Sequence, residues 1–255
     1  MLMTTYIEKW NLIGHDLVKW KSGHLNSCYG TAYADLSIQA ILDYVGDYQG
    51  LRILDLGCGD GLLGHHFADK ASVVGIDASS VLVGIGKDKY PDIAFHLGDI
   101  TKQLPYISSS FDVVVSNMVF MSIPNIELVF LETFRVLKEN GRFIFSIIHP
   151  CFYGKRWYLI ESNLISIEFD MEYTKEYAFE KLLDSDFQET ITTFHRPIQK
   201  YVEIFLKTGF TLTGFLERNI PCINSSLGGF SPKEIKNHLV PNTLIIHGYK
   251  RTKAL

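Results

Sequence analysis

Little in this chain points outward to a membrane, a metal or a nucleic acid. Its four cysteines, Cys28, Cys58, Cys151 and Cys222, lie far apart with no CxxC pair, so their spacing offers neither a zinc clip nor a disulfide framework. They read as reduced thiols of a cytoplasmic protein. No apolar run approaches the ~18 residues that a membrane span needs, and charges and histidines scattered through the first thirty residues do not fit a signal peptide. Neither sign of charge dominates. With 24 Lys and Arg against 28 Asp and Glu, the net charge of −4 leaves no basic footprint for a nucleic acid. There is no internal repeat, low-complexity tract or obvious linker. Of the 255 residues, 47% are apolar, which is ample for one large α/β core, with or without an inserted cap.

What is present is organised around Leu51–Gly61, LRILDLGCGDG. Leu51, Ile53, Leu54 and Leu56 form the near-continuous apolar run of a strand buried on both faces. Gly57, Gly59 and Gly61 then alternate, and Leu62, Leu63 and Phe67 resume at helical spacing. Strand, tight turn and helix start follow one another, with glycine supplying positive φ and close approach to a ligand. Asp55 stands at the strand's end, its carboxylate expected in the same crevice. The helix is expected over Gly61 to Lys70, its N-terminal amides and positive dipole end suited to a carboxylate or a phosphate.

Ser72–Asp77 reads as a second parallel strand ending in an acid 20 residues beyond Gly57. A carboxylate there can accept hydrogen bonds from both hydroxyls of a ribose. The alternative is a helix N-cap, a role that Ser79 and Ser80 could also fill. Ile93–Ile100 reads as strand three, with Asp99 at its end and His96 half exposed. Phe111–Ser116 is strand four and Gly141–His149 strand five. Between them Asn125 caps a helix that Asn140-Gly141 stops, with Leu128, Val129, Leu131, Phe134 and Leu137 on its buried face. This alternation requires a parallel sheet covered by helices on both sides.

Asp55-Leu-Gly-Cys-Gly-Asp-Gly61 resembles motif I of the class I S-adenosylmethionine-dependent methyltransferases. Gly59-x-Gly61-x-x-Gly64 also fits the dinucleotide fingerprint, so a nicotinamide-dependent oxidoreductase is the competing enzyme and a non-catalytic cofactor-binding subunit the competing non-enzyme. Gly98-Asp99-Ile100 separates the two enzymes. It is similar to the methyltransferase motif in which an Asp takes the adenine amino group and the next backbone N–H a ring nitrogen. Ser116-Asn117-Met118-Val-Phe120-Met121-Ser-Ile-Pro124 resembles the segment lining the cofactor's methionine end, although Met121 and Ser122 stand where two histidines are common. No Asn/Asp-Pro-Pro-Tyr run follows strand four, which argues against base or glutamine methylation.

The resemblance implies a Rossmann-like αβα sandwich with a mostly parallel seven-stranded sheet, an antiparallel last strand and an aromatic-rich cap after strand five. It divides one domain into a lid (1–33), a cofactor-binding core (34–150), a substrate cap (151–190) and a C-terminal part of the core (191–255). It implies S-adenosylmethionine as cofactor, held by Asp55, Gly57, Cys58, Gly59, Gly61, Asp77, Ala78, Asp99, Ile100, Ser116, Asn117 and Met118. It further implies a small-molecule acceptor and no metal, in a monomer or homodimer. Tyr6, Trp10, Ile13, Leu17 and Trp20 recur at helical steps, and Tyr29 and Tyr33 sit where relatives place a tyrosine near the methionine part. From Phe152 to Phe194 ten aromatics fall in 43 residues, 23% against 13% for the chain. Phe152, Tyr153 and Trp157, with Phe120 and Met121, are therefore candidates to meet a flat or apolar acceptor. Ile148-His149-Pro150-Cys151-Phe152 and Phe194-His195-Arg196-Pro197 resemble runs in small-molecule methyltransferases. His149 and His195 are the candidate general bases, and Arg196 a candidate anchor for an anionic group. A metal site at His149 and Cys151 lacks further ligands at suitable spacing.

Overall fold

In a computed structural model, the structure describes residues 5–22, 28–153, 156–161, 164–168, 171–183, 187–219, 236 and 239–251, but not the side chains of 28–35, 156, 157, 159–161, 164, 165 and 167. Seven strands form the central sheet: β1 (Arg52–Leu56), β2 (Ser72–Asp77), β3 (Ala94–Leu97), β4 (Phe111–Asn117), β5 (Leu137–Ile148), β10 (Phe210–Arg218) and β11 (Thr243–Lys250). Their order across the sheet is β10-β11-β5-β4-β1-β2-β3. All pairings from β5 to β3 are parallel, whereas β11 runs antiparallel to both β5 and β10. This is the Rossmann-like methyltransferase architecture expected from the sequence.

Alternation along the central strands sorts the core into two layers. Leu54, Leu56 and Val114 face α5 (Glu127–Val136) and α6 (Ile198–Thr208), joining Phe130, Phe143, Phe145, Phe205 and Phe210. Ile53, Val113 and Val115 face the other way, onto Ile38 and Ile41 of α2 (Cys28–Val45), Leu63 of α3 (Leu62–His65) and Val83 of α4 (Ser80–Lys89). In a sheet so covered, the strand ends are the only place where polar side chains can meet a ligand.

Three local differences from the sequence expectation have physical causes. The helix after the glycine turn has only four residues. His66, Phe67 and Ala68 donate to carbonyls three residues back, so the chain winds to Lys70 in tight turns. The helix expected to stop at Asn140-Gly141 ends at Val136. Pairing of Phe111 with Leu137 and of Val113 with Arg142 leaves Asn140, at φ 60°, in a bulge of β5. α2 runs from Cys28 to Val45, earlier at both ends than the span of roughly Ala34 to Tyr48 that the residues before the turn at Gly50 suggest.

α1 (Tyr6–Lys21) crosses the carboxyl edge of the sheet and packs on α4, burying Ile13 and Leu17 with Leu82, Phe187 and Ile191. Between β5 and α6 come two antiparallel pairs, β6 (Arg156–Glu161) with β7 (Leu164–Glu168) and β8 (Tyr177–Lys181) with β9 (Ile191–His195). In the layer between the sheet and α5 and α6, Phe205 stacks on Phe210 with ring centroids 4.7 Å apart, lies parallel to Phe143 at 5.8 Å and is fully buried. Phe205→Ala should cost about 3–5 kcal/mol in urea unfolding, the range for emptying a buried phenylalanine site. A loss below about 1 kcal/mol would contradict this packing.

Candidate cofactor and acceptor site

β1 ends at Leu56, and the turn that follows is fixed from below. Gly57 and Cys58 both donate to the Ile76 carbonyl, and Gly61 donates to that of Cys58. Gly57 sits at φ 70°, and a Cβ on it would lie 2.6 Å from both methyls of Val119, so no other residue fits. Asp77, at the end of β2, completes the turn. Its Oδ2 accepts the Gly59 N–H at 2.9 Å and its Oδ1 the Ser79 N–H at 2.8 Å. The N-cap of α4 is Ser79, whose hydroxyl accepts from the Leu82 N–H at 3.2 Å. Burial raises the Asp77 pKa, and the two amides partly offset it.

Three carboxylates crowd this turn. Asp60 is buried and paired with Lys21 of α1 at 3.2 Å and Lys89 of α4 at 3.3 Å. Burial pushes its pKa up, but the two ammonium groups prevail and hold it below the usual carboxylate range. Asp55 has no such partners. It is 1% exposed, and its Oδ2 makes no hydrogen bond. Desolvation, then the charge of Asp77, raise its pKa to about 7, with Lys21 and the Gly64 N–H opposing.

One cavity of about 870 Å³ opens at this edge. Its floor holds Gly57, Gly59, Asp77, Ala78, Asp99, Ile100, Asn117 and Met118. Asp99 accepts the Thr101 N–H at 2.9 Å, the Thr101 hydroxyl at 2.7 Å and the Tyr6 hydroxyl at 3.3 Å, all through Oδ1. Among the described residues no donor reaches its Oδ2. Met118 sits at φ 59°, a costly conformation for a side-chain-bearing residue. Its N–H is held by Ser146 through the carbonyl and the hydroxyl, both at 3.1 Å, and that hydroxyl in turn donates to Asn117 Oδ1. The remaining walls mix apolar and aromatic residues, Tyr6, Ile7, Trp10, Leu17 and Trp20 of α1, Met121 and Ile123 after β4, and Phe152, Tyr153, Leu182, Leu183 and Ile191 between β5 and α6, with polar ones that include Lys21, Ser122, Glu180, Lys181, Thr190 and Thr193.

Several residues expected in the site lie elsewhere. Asp55 pairs with Gly75, two residues short of Asp77, so it lies inside the sheet and faces Gly64, where an added Cβ would stand 3.6 Å from the Asp55 Oδ2, while Asp77 reaches the cavity. Cys58 is buried with its Sγ against Gly75, Gly61 packs under Phe95, and the Ser116 hydroxyl donates to the Leu56 carbonyl at 2.8 Å, tying β4 to β1. Phe120 is a core residue.

His149 stands at the carboxyl end of β5, but its ring turns back and is 1% exposed. Its Nδ1 accepts from the Cys151 N–H, which assigns the ring proton to Nε2 and makes it a donor to Glu217 Oε1 at 2.7 Å. His195 is stacked on Tyr177, and its Nε2 lies 2.9 Å from the Tyr173 carbonyl. Neither histidine lines the cavity. Arg196 is 4% exposed and donates to the carbonyls of Phe120, Ile123 and Pro124, so it rivets the cap to the segment after β4 instead of anchoring an anion. Tyr29, Tyr33 and Trp157 lie outside the described side chains. Sequence reasoning places α1 in the lid segment without assigning its aromatic stripe to the cavity, and misses Lys21 and Thr101 among the lining residues. Only the helical period of α1 hints at a cavity wall.

A crevice lined by a glycine turn and two strand-end acids, at the topological switch of a Rossmann-like sheet, defines the class. The chain belongs to the methyltransferase domain family, which matches residues 47–196 and whose cofactor is S-adenosylmethionine. It is 28% identical over 244 residues to the demethylmenaquinone methyltransferase of Lactococcus lactis, covering 90% of this chain and 91% of that one. To the enzyme of the same name from Renibacterium salmoninarum it is 33% identical over 114 residues, 44% of this chain and 48% of that one. The match thus spans less than half the length of that relative and of the one from Beutenbergia cavernae, at 44%. The crystal structure of an S-adenosylmethionine-dependent methyltransferase from Listeria monocytogenes superposes with a TM-score of 0.72 over 87% of this chain and all of that one, at 23% identity. No described helix is long and apolar enough to cross a membrane, and no described group of His, Cys, Asp and Glu could hold a metal.

The carboxyl of Asp55 supplies a pH signature. In the unfolded chain it loses its proton above about pH 4, while in the fold it keeps it to about 7. The native state therefore binds more protons across that window, and stability falls as pH rises, by up to about 4 kcal/mol for a shift of this size. Asp77, also raised, adds a slope of the same sign. Urea unfolding of Asp55→Asn at pH 5.5 and 8 should show a clearly smaller loss than wild type, and an unchanged loss would refute the assignment.

Proposed function

We propose that this protein transfers the methyl group of S-adenosylmethionine to a small, flat, predominantly apolar molecule. The observation that carries the reading is that one cavity joins the glycine turn, Asp77 and Asp99 to the aromatic walls of α1 and the cap region. The donor set suits the cofactor. Each oxygen of Asp77 has spent one lone pair on a backbone N–H and keeps another toward the cavity, matching two ribose hydroxyls. Asp99 Oδ2 and the Ile100 N–H suit an amino group and a ring nitrogen of adenine. Asn117 and Met118, locked by Ser146, would bound the methionine end.

Bound there, S-adenosylmethionine supplies an electrophilic methyl group on a sulfonium. The chain's contribution is to hold the acceptor in line with that group and keep water out, an effect worth up to roughly 7–11 kcal/mol. α1 acts as the lid over the cofactor and the segment after β5 as the substrate cap. No described lining residue is a histidine, and burial pushes the Tyr153 phenol up to about 12, away from the range of a base at neutral pH. Alignment rather than proton abstraction is thus the main device. The similar proteins are named for different acceptors, demethylmenaquinone, arsenite and a malonyl group on acyl-carrier protein, so the acceptor class rests on this chain's own walls.

S-adenosylhomocysteine at 100 times its dissociation constant should stabilise the protein by about 2.7 kcal/mol, raising Tm by roughly 5–10 °C, while NADH should not. Asp77→Ala should abolish that shift. Stabilisation by NADH alone, or an unchanged S-adenosylhomocysteine response in the variant, would overturn the reading.

A further inference from the structure

His149 does not reach the cavity, yet the residues bonded to it do. Its N–H donates to the carbonyl of Asn242, a lining residue, at 2.8 Å. Its carbonyl accepts the N–H groups of Phe152 and Tyr153, both at 3.2 Å, and these two residues belong to the wall between β5 and α6. The chain reverses after Ile148, and the imidazole closes the reversal. Nδ1 accepts the N–H of Cys151, two residues on, at 3.3 Å, the pattern of an Asx turn, while Nε2 donates to Glu217 Oε1 on β10 at 2.7 Å. Packing alone would favour an apolar side chain at so buried a position. A ring with both nitrogens engaged instead fixes one conformation of the turn, and it also lies against Phe152, with ring centroids 5.0 Å apart. Tyr153 continues the wall toward β8, where Lys181 Nζ stands 4.1 Å from the centre of its ring.

We infer that His149 is a positioning residue for the methyl acceptor: by holding the Cys151 N–H through Nδ1 it sets where Phe152 and Tyr153 stand, and with them how tightly an acceptor is held, while leaving the cofactor floor unaffected. Nδ1 is the decisive atom. Glu217 has a side chain 57% exposed, so its bond to Nε2 orients the ring but contributes less. This inference rests on the reading of the cavity as a methyl-transfer site and adds to it the residue that shapes the acceptor wall. Side-chain chemistry separates the role from proton abstraction. Asparagine offers an acceptor oxygen at the place of Nδ1 but cannot serve as a base, whereas glutamine reaches toward Glu217 and leaves the Cys151 N–H without its acceptor.

Equilibrium dialysis of 2-naphthol, a flat and mostly apolar probe, against the protein loaded with S-adenosylhomocysteine tests the inference. His149→Ala should weaken 2-naphthol binding about 3- to 10-fold, the loss expected from one buried neutral hydrogen bond, with S-adenosylhomocysteine affinity kept within about twofold of wild type. His149→Asn should return 2-naphthol affinity to within about twofold of wild type, and His149→Gln should not. Should His149→Ala fail to fold, the contrast between the Asn and Gln variants decides. Wild-type 2-naphthol affinity in His149→Ala or His149→Gln, no recovery in His149→Asn, or an equal loss of S-adenosylhomocysteine affinity in His149→Ala would each overturn the inference. Absence of 2-naphthol binding by loaded wild type would overturn it together with the acceptor wall it serves. Failure of wild type to bind S-adenosylhomocysteine would instead overturn the proposed function.

Discussion

The site depends on one half-buried carboxylate that joins two backbone segments. Asp77 accepts an N–H from the glycine turn after β1 and another from the loop that starts α4. Burying a carboxylate is costly, and these two amides are what makes it tolerable. The same bonds aim the unused lone pairs at the cavity. In the proposed function, the geometry that stabilises the turn also presents acceptors to the ribose.

Around that point the other parts follow as steric consequences. Gly57 must lack a side chain because Val119 approaches from the segment after β4, and that segment is in turn fixed by Ser146 beneath Met118 and by Arg196 from the cap. The floor of the cavity and its acceptor wall are thus packed against each other, so a shift in either moves both. α1 is tied down at both ends, through Tyr6 to Asp99 on the cavity floor and through Lys21 to the buried Asp60 of the glycine turn.

Much of this was legible in the residues. The glycine spacing, the acids ending successive strands and the alternation of apolar runs defined the sheet and located its functional edge, because these patterns depend on local geometry alone. Which way a side chain turns at that edge was not. Asp55 and Asp77 both end parallel strands, yet one faces the helix layer and the other the crevice, a difference set by the register of neighbouring strands. His149 was correctly placed at the edge, but the chain reverses after it and Glu217, 68 residues away, captures the ring. Arg196 looked like an anchor for an anion because a sequence does not show that three carbonyls converge on it. The aromatic stripe of α1 was legible as one face of a helix but not as a cavity wall, because a helix that covers a cavity has the same period as one that covers a core.

The central claim is that a nucleoside-bearing sulfonium cofactor lies across the glycine turn beneath α1. Hydrogen–deuterium exchange with and without S-adenosylhomocysteine tests it most directly. The account predicts slowed exchange in peptides covering Leu56–Gly61, Asp77–Leu82, Asp99–Lys102 and α1, with α5 and α6 unchanged. Protection absent from Leu56–Gly61, or concentrated on the α5 and α6 face, would contradict it.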